Sequence, residues 1–222
     1  MARVVCLCVD GYANRGRIRK AVVDAFGYAG IALDRGQLKY SASKIVKIGE
    51  YKKKVEKLVE TGGGDPSELA ILVVGKSLGG AKMYRFSYEH ADLLRQFAGW
   101  ATVLVDPHEP IIPGDEGDTG HWYDFVRFKG GGHKLKWWES EWGPHADQRT
   151  AGAKLRFYVT YQRNEWPRGY NLATPYKRLN LTGRLIQPHG QSASELATHW
   201  NISRCATTVA MLRDAIKFLR GC

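Results

Sequence analysis

Ser77 lies in a glycine-rich segment, 75–79, whose sequence Gly-Lys-Ser-Leu-Gly could support nucleophilic chemistry. The apolar run 69–74 before it predicts a buried strand, and apolar residues at helical spacing from Leu78 predict a helix after it. A sharp strand-to-helix turn exposes a serine hydroxyl, because the flanking glycines keep the neighbouring backbone away. The Leu78 N–H, at the start of that helix, could stabilise the negative oxygen formed during acyl transfer. The segment therefore predicts Ser77 as a nucleophile and Leu78 as one oxyanion donor.

Two later residues supply the acid and the base that such a serine needs. Asp106 follows a second apolar run, 101–105, so its carboxylate should lie at the carboxyl edge of a parallel sheet, where α/β proteins build their sites. His199 precedes the final helix, where a base can reach back over the serine. The chain order Ser77, Asp106, His199 therefore predicts a catalytic triad in which His199 is the base and Asp106 orients it.

The first strand and helix supply a candidate second oxyanion donor. The run 4–9 is apolar and β-branched, as in a strand buried on both faces, and it ends in Asp10-Gly11. A helix follows, with Asn14 as its expected N-cap and one apolar stripe: Ile18, Ala21, Val22, Ala25 and Phe26. We expect the Tyr12 N–H, in the turn between strand and helix, to be the second donor.

Basic residues crowd the start of this helix, where the helix dipole favours acids instead. They are Arg15, Arg17, Arg19 and Lys20. If the turn borders the site, Arg15 and Lys76 should bind a negatively charged part of the substrate. A solvated basic face would explain the same residues without any ligand.

The remaining pattern alternates strands with helices. Residues 30–34 predict a short strand, 45–59 an amphipathic helix ended by glycines, and 155–161 and 181–186 two further strands. The last helix should bury one face: Val209, Leu212, Ile216 and Leu219. This alternation predicts an α/β fold with three layers and a mostly parallel central sheet.

The segment at about 111–152 breaks the pattern and is rich in tryptophan and glycine. So long an irregular stretch is more often functional than idle, so we interpret it as a lid-like excursion from a single domain, 1–222, with Trp122 binding substrate. Its acids and histidines lack the spacing of calcium or zinc ligands, so we expect no metal.

Bulk properties limit the choice of partner and compartment. The 222 residues suit one domain, and the formal charge of +11 favours anionic partners. No signal peptide or membrane span is apparent, which predicts a cytoplasmic location. The four cysteines form no Cys-x-x-Cys pair, so free thiols in a reducing compartment are expected, with a bridge from Cys205 to Cys222 as the alternative.

These motifs resemble those of the α/β-hydrolase superfamily, in particular small lipases and esterases. The resemblance lies in 75–80, in the Asp-Pro-His-Glu-Pro segment from Asp106, and in His199-Trp200-Asn201-Ile202. It implies an α/β-hydrolase-like fold and a cofactor-independent serine hydrolase that cleaves an ester or thioester through an acyl-enzyme.

Three departures accompany the resemblance. Lys76 stands where such lipases carry histidine or an aromatic residue, and Asp10-Gly11 stands where many carry His-Gly. Most members place the acid one strand later, which would nominate Glu165 or, less well, Asn164 instead of Asp106.

Two other functions fit parts of the sequence. A non-catalytic α/β-hydrolase-like protein could keep the fold and bind an anionic partner. The charge and the tryptophans would also suit nucleic-acid binding, although no nucleic-acid motif is present.

Overall fold

The computed structural model describes residues 2–11, 16–31, 33, 36–42, 48–107, 155–160, 198 and 200–222. These residues contain five strands: β1 (Arg3–Asp10), β2 (Leu38–Ala42), β3 (Leu69–Lys76), β4 (Gly99–Val105) and β5 (Leu155–Thr160). They also contain five α-helices: α1 (Arg17–Tyr28), α2 (Ile48–Gly62), α3 (Leu78–Glu89), α4 (Ala91–Leu94) and α5 (Ala206–Arg220). Two short 3-10 helices, Pro66–Glu68 and Ile202–Arg204, precede β3 and α5.

The strands form one parallel sheet in the order β2-β1-β3-β4-β5. The chain first moves outward from β1 to β2, then crosses back and proceeds the other way through β3, β4 and β5. The direction therefore reverses between β1 and β3. In open α/β sheets, ligands bind outside the carboxyl ends of the strands at such a switch point.

Helices cover both faces of the sheet. On one face α1 and α5 pack together and against the strands, and on the other α2 and α3 pack against β1, β2, β3 and β4. The predicted stripe of α1 is buried throughout, and on α5 the same holds for Leu212, Ile216 and Leu219, while Val209 is half-buried. The strands β3 and β4 are buried along their whole length because helices lie on both sides. The predicted fold class, a three-layer α/β fold with a parallel sheet, is confirmed.

Two local predictions are wrong. Within the predicted strand 30–34, the described residues Gly30, Ile31 and Leu33 are not in a strand. Gly30 adopts φ 68°, and the Ile31 N–H donates to the Phe26 carbonyl at 3.0 Å, which closes the end of α1. The strand in this part of the chain is β2. Asn14 is not the N-cap of α1, because the chain enters the helix at Gly16, with φ 80°.

Other expectations fall outside the described residues. They are the strand at 181–186 and the lid-like excursion at 111–152. Within the part of the chain that the structure describes, no helix is both long enough and apolar enough to cross a membrane.

Candidate active site

Ser77 forms the turn between β3 and α3, at the carboxyl edge of the sheet. Its backbone has φ 54°, in the left-handed region that residues with a Cβ rarely adopt. Strand and helix on either side hold it there, since α3 packs against both β3 and β4. The predicted strand-turn-helix context of Ser77 is therefore present.

Close backbone contacts explain the glycines of this segment. A Cβ added to Gly79 would lie 2.6 Å from the Asp10 carbonyl oxygen and closer still to that of Val9. One added to Gly75 would lie 2.7 Å from the Gly80 Cα, and one added to Gly80 would lie 3.0 Å from the Pro107 Cα. The turn thus presses directly against the ends of β1 and β4, which only glycine allows.

Asp106 lies beside Ser77 on the neighbouring strand. The Ser77 N–H donates to the carbonyl of Val105, the last residue of β4, at 3.0 Å, and the Asp106 N–H donates to the Thr160 carbonyl at 2.6 Å. Asp106 is fully buried and, like Ser77, left-handed, with φ 47°. The structure therefore brings the predicted nucleophile and acid to adjacent positions on one edge of the sheet.

Leu78 is the first residue of α3. N–H groups in the first turn of a helix have no acceptor within the helix, so the Leu78 N–H has no partner inside α3. The helix dipole adds partial positive charge at the same point.

The Asp10 carboxylate, fully buried at the end of β1, binds both ends of the connection from β1 to α1. One oxygen accepts a hydrogen bond from the Gly11 N–H at 3.0 Å. The other accepts from the Gly16 N–H at 2.9 Å and from the Tyr40 hydroxyl, on β2, at 3.3 Å. Burial raises the pKa of Asp10 above its usual range, although these three bonds and the charge of Lys76 lower it.

Lys76 ends β3 and is also fully buried. Its Nζ donates no hydrogen bond to any of the described residues. Burial lowers the pKa of Lys76 to about 8, although the charges of Asp10 and Asp106 raise it. The side chain therefore lies beneath the surface, and its predicted contact with substrate stays a prediction.

Thr198 and Asn201, on either side of positions 199 and 200, are joined by two reciprocal hydrogen bonds. The Thr198 N–H donates to the Asn201 side-chain oxygen at 2.6 Å, and the Asn201 N–H donates to the Thr198 hydroxyl at 3.2 Å. The Arg17 guanidinium donates to the Trp200 carbonyl at 2.8 Å, which links the turn to α1. His199 itself lies outside the described residues, as do the other predicted site residues Tyr12, Arg15, Trp122 and Glu165.

Among the described residues, no group of three histidine, cysteine or acidic side chains lies together so that it could hold a metal ion. All four cysteines are free, and burial raises the pKa of Cys6 and Cys8.

Sequence reasoning missed Asp10 and Asn201. Asp10 had a signal, because an acid that ends a buried strand requires hydrogen-bond donors, and the switch point puts β1 next to β3. Asn201 had a weaker one, a Thr-x-x-Asn pair before the last helix that reads as two reciprocal turn bonds.

No known family profile matches the sequence, and no curated protein matches it. Solved structures show a weak likeness. The pyrethroid hydrolase PytH is similar over 45% of this chain and 39% of its own, at 20% identity and a TM-score of 0.29, and a second PytH structure gives similar values. The chain thus spans about two fifths of the length of that enzyme. ClbQ, from the colibactin NRPS/PKS pathway, is similar over 99% of both chains, at 12% identity and a TM-score of 0.49.

Proposed function

We propose that this protein is a serine hydrolase that cleaves a carboxylic ester or thioester through an acyl-enzyme intermediate. The observation that supports this best is the left-handed turn at Ser77, placed between β3 and α3 and hydrogen-bonded to the residue before Asp106. A serine held this way presents its hydroxyl at the edge of the sheet, beside the N–H groups of the first turn of α3, which have no acceptor within that helix.

In the proposed reaction the Ser77 oxygen attacks the acyl carbonyl while His199 takes its proton. The N–H groups of Leu78 and Tyr12 stabilise the resulting oxyanion. The bond from the acyl carbon to oxygen or sulfur then breaks, and His199 returns the proton to the leaving group. A water molecule, activated by His199, releases the acyl group and restores Ser77. No cofactor takes part.

Asp106 is the proposed acid that holds the His199 ring in its working orientation. Its burial and its position next to the Ser77 turn support this role. Glu165, one strand later, is the alternative. Asp106→Asn and Glu165→Gln separate them, because only the true acid loses about 10⁴-fold in kcat when its charge is removed.

We further propose that the substrate carries negative charge. The formal charge of +11 and the basic residues at the start of α1, with Arg15 among them, support an anionic substrate class. Trp122, in the proposed lid-like segment of this single domain, would contact its apolar part.

The test is labelling with a fluorescent fluorophosphonate together with turnover of p-nitrophenyl esters of increasing chain length. Wild type should label and turn over, whereas Ser77→Ala and His199→Ala should do neither while retaining the wild-type circular dichroism spectrum. A folded wild type that stays unlabelled and inactive, with and without detergent, would exclude the hydrolase and favour a binding protein for an anionic partner.

A further inference from the structure

Two buried, oppositely charged side chains lie under the proposed oxyanion site. Val9 of β1 is the register partner of Gly75 of β3. Asp10 comes directly after Val9 and Lys76 directly after Gly75, so the two residues end neighbouring strands side by side. Cys8 and Val74, two residues before them, both face α1 and α5, and side chains alternate along a strand. Asp10 and Lys76 therefore lie side by side on the same face of the sheet, at its switch point.

Each member of the pair directly precedes a part of the site. Asp10 leads into the connection from β1 to α1, whose described ends, Gly11 and Gly16, both donate to its carboxylate. Lys76 leads into the turn at Ser77. A buried carboxylate and a buried ammonium next to each other favour each other's charged form.

We propose that Asp10 and Lys76 act together as positioning residues: the carboxylate holds the β1–α1 connection in shape, and the ammonium couples that connection to the Ser77 turn. This inference rests on the proposed function, in which the connection and the turn each supply an oxyanion donor. Neither side chain touches the substrate.

The kinetic signature of this role differs from that of a stability effect. The donors act on charge that exists only in the transition state, so displacing them should lower kcat and leave KM nearly unchanged. We expect Asp10→Asn to lower kcat by about 10- to 100-fold, below or near the loss seen when an oxyanion donor is deleted. Tyr40→Phe, which removes one hydrogen bond to Asp10, should lower kcat by about threefold.

Lys76→Met removes the ammonium while keeping an apolar chain of similar length. Asp10 then loses the charge of Lys76 and is faced by Tyr40 and Cys8, with the Arg19 guanidinium over the Tyr40 ring. The other charges around position 76 are Asp106, Arg17 and Arg204. The pKa of Asp10 should rise, so the acid limb of kcat/KM should move to higher pH. Lys53→Met, on the exposed side of α2, is the matched control and should leave the profile in place.

The deciding experiment is a double-mutant cycle on kcat with Asp10→Asn, Lys76→Met and the double variant, with thermal melting as a folding check. If the two residues act as a pair, the double variant should lose no more than about threefold beyond Asp10→Asn. Losses in kcat that multiply, or a kcat of Asp10→Asn within twofold of wild type, would overturn the inference and leave the proposed hydrolase function intact.

If Asp10→Asn does not fold, Tyr40→Phe and Lys76→Met, with their double variant, form the same cycle. A wild type that neither labels nor turns over would remove the proposed function, and this inference with it.

Discussion

At Ser77 and Asp106 the backbone takes a conformation that only glycine adopts without cost, with φ 54° and 47°. Each such residue costs about 1–3 kcal/mol and persists only where its surroundings fix it. Here the fixing contacts are the parallel strands and the glycines packed against them. Two such strained residues, next to each other at the edge of the sheet, support the proposed site.

We expect Gly79→Ala to abolish the geometry of the turn. Its new Cβ would lie 2.6 Å from the Asp10 carbonyl oxygen, which is backbone and cannot rotate away. The free energy of unfolding should fall by about 1–3 kcal/mol, and turnover should fall by about 100-fold or more because the Leu78 N–H is displaced.

Gly27→Ala, in α1, is the matched control for this change. Among the described residues, no atom outside its own helix backbone and its chain neighbours lies within 4 Å of the added Cβ. This variant should therefore gain up to about 1 kcal/mol of stability and keep full activity. Chemical denaturation and ester turnover measure both variants. A Gly79→Ala protein that is as active as wild type would contradict the described packing of the turn.

The sequence predicts the turn at Ser77 but not the hydrogen bonds of Asp10, because these two features depend on contacts at different distances along the chain. The Gly-Lys-Ser-Leu-Gly segment predicts its turn because the strand, the glycines and the helix are neighbours in the sequence. The bonds from Asp10 to Gly16 and Tyr40 join residues that only the tertiary fold brings together. No local pattern around Asp10 contains its partners.

Among the elements, the turn 198–201 connects the end of the chain to α1. Its two reciprocal bonds and the contact from Arg17 to the Trp200 carbonyl hold three backbone positions around residue 199. His199, as the proposed base, would lose less freedom on reaching the reactive geometry if its neighbours in the chain are held in this way. The turn is therefore expected to matter for rate more than for stability.

Asn201→Ala should lower kcat by about tenfold, because it removes the 2.6 Å acceptor of the Thr198 N–H. The melting temperature should change by less than about 4 °C, since the lost bond is exposed. Thr198→Val, which removes only the weaker bond of 3.2 Å, should have a smaller effect in the same direction. Steady-state kinetics and thermal melting measure both. An unchanged kcat would show that the turn does not place the base.

Prediction of the elements succeeded where burial is complete. The strands β1, β3 and β4 appear as continuous apolar runs because helices cover both faces. The strand β2 does not, since its residues Leu-Lys-Tyr-Ser-Ala mix apolar and polar side chains. A short strand is predicted at 30–34, but the Ile31 N–H is used to close the end of α1.

For the whole molecule, the buried charge of Lys76 is a liability. Its pKa in the folded protein is about 8, below its ordinary value of 10.5, so the folded state binds this proton less well than the unfolded state does. Between about pH 8 and 10.5 the unfolded state therefore holds more protons, and the free energy of unfolding rises with pH. Below pH 8 the full cost is present.

Lys76→Met should accordingly stabilise the protein at pH 7, by roughly 2–4 kcal/mol. The gain over wild type should shrink as pH rises through 8 and be nearly absent above about 10.5, the ordinary pKa. Urea unfolding at pH 7, 9 and 10.5 measures this, with Lys53→Met as the control. A Lys76→Met protein less stable than wild type at pH 7 would show that the two carboxylates depend on the ammonium more than the ammonium costs.

Three local costs determine how this protein would respond to selection for thermal stability. They are the backbone strain at Ser77, the same strain at Asp106 and the buried ammonium of Lys76. A library selected for thermal stability alone should enrich glycine at positions 77 and 106 and apolar residues at 76, since each change relieves a local cost. Such a selection would erase the candidate site before altering the rest of the sheet. The same enrichment, read position by position, would locate the site without any substrate.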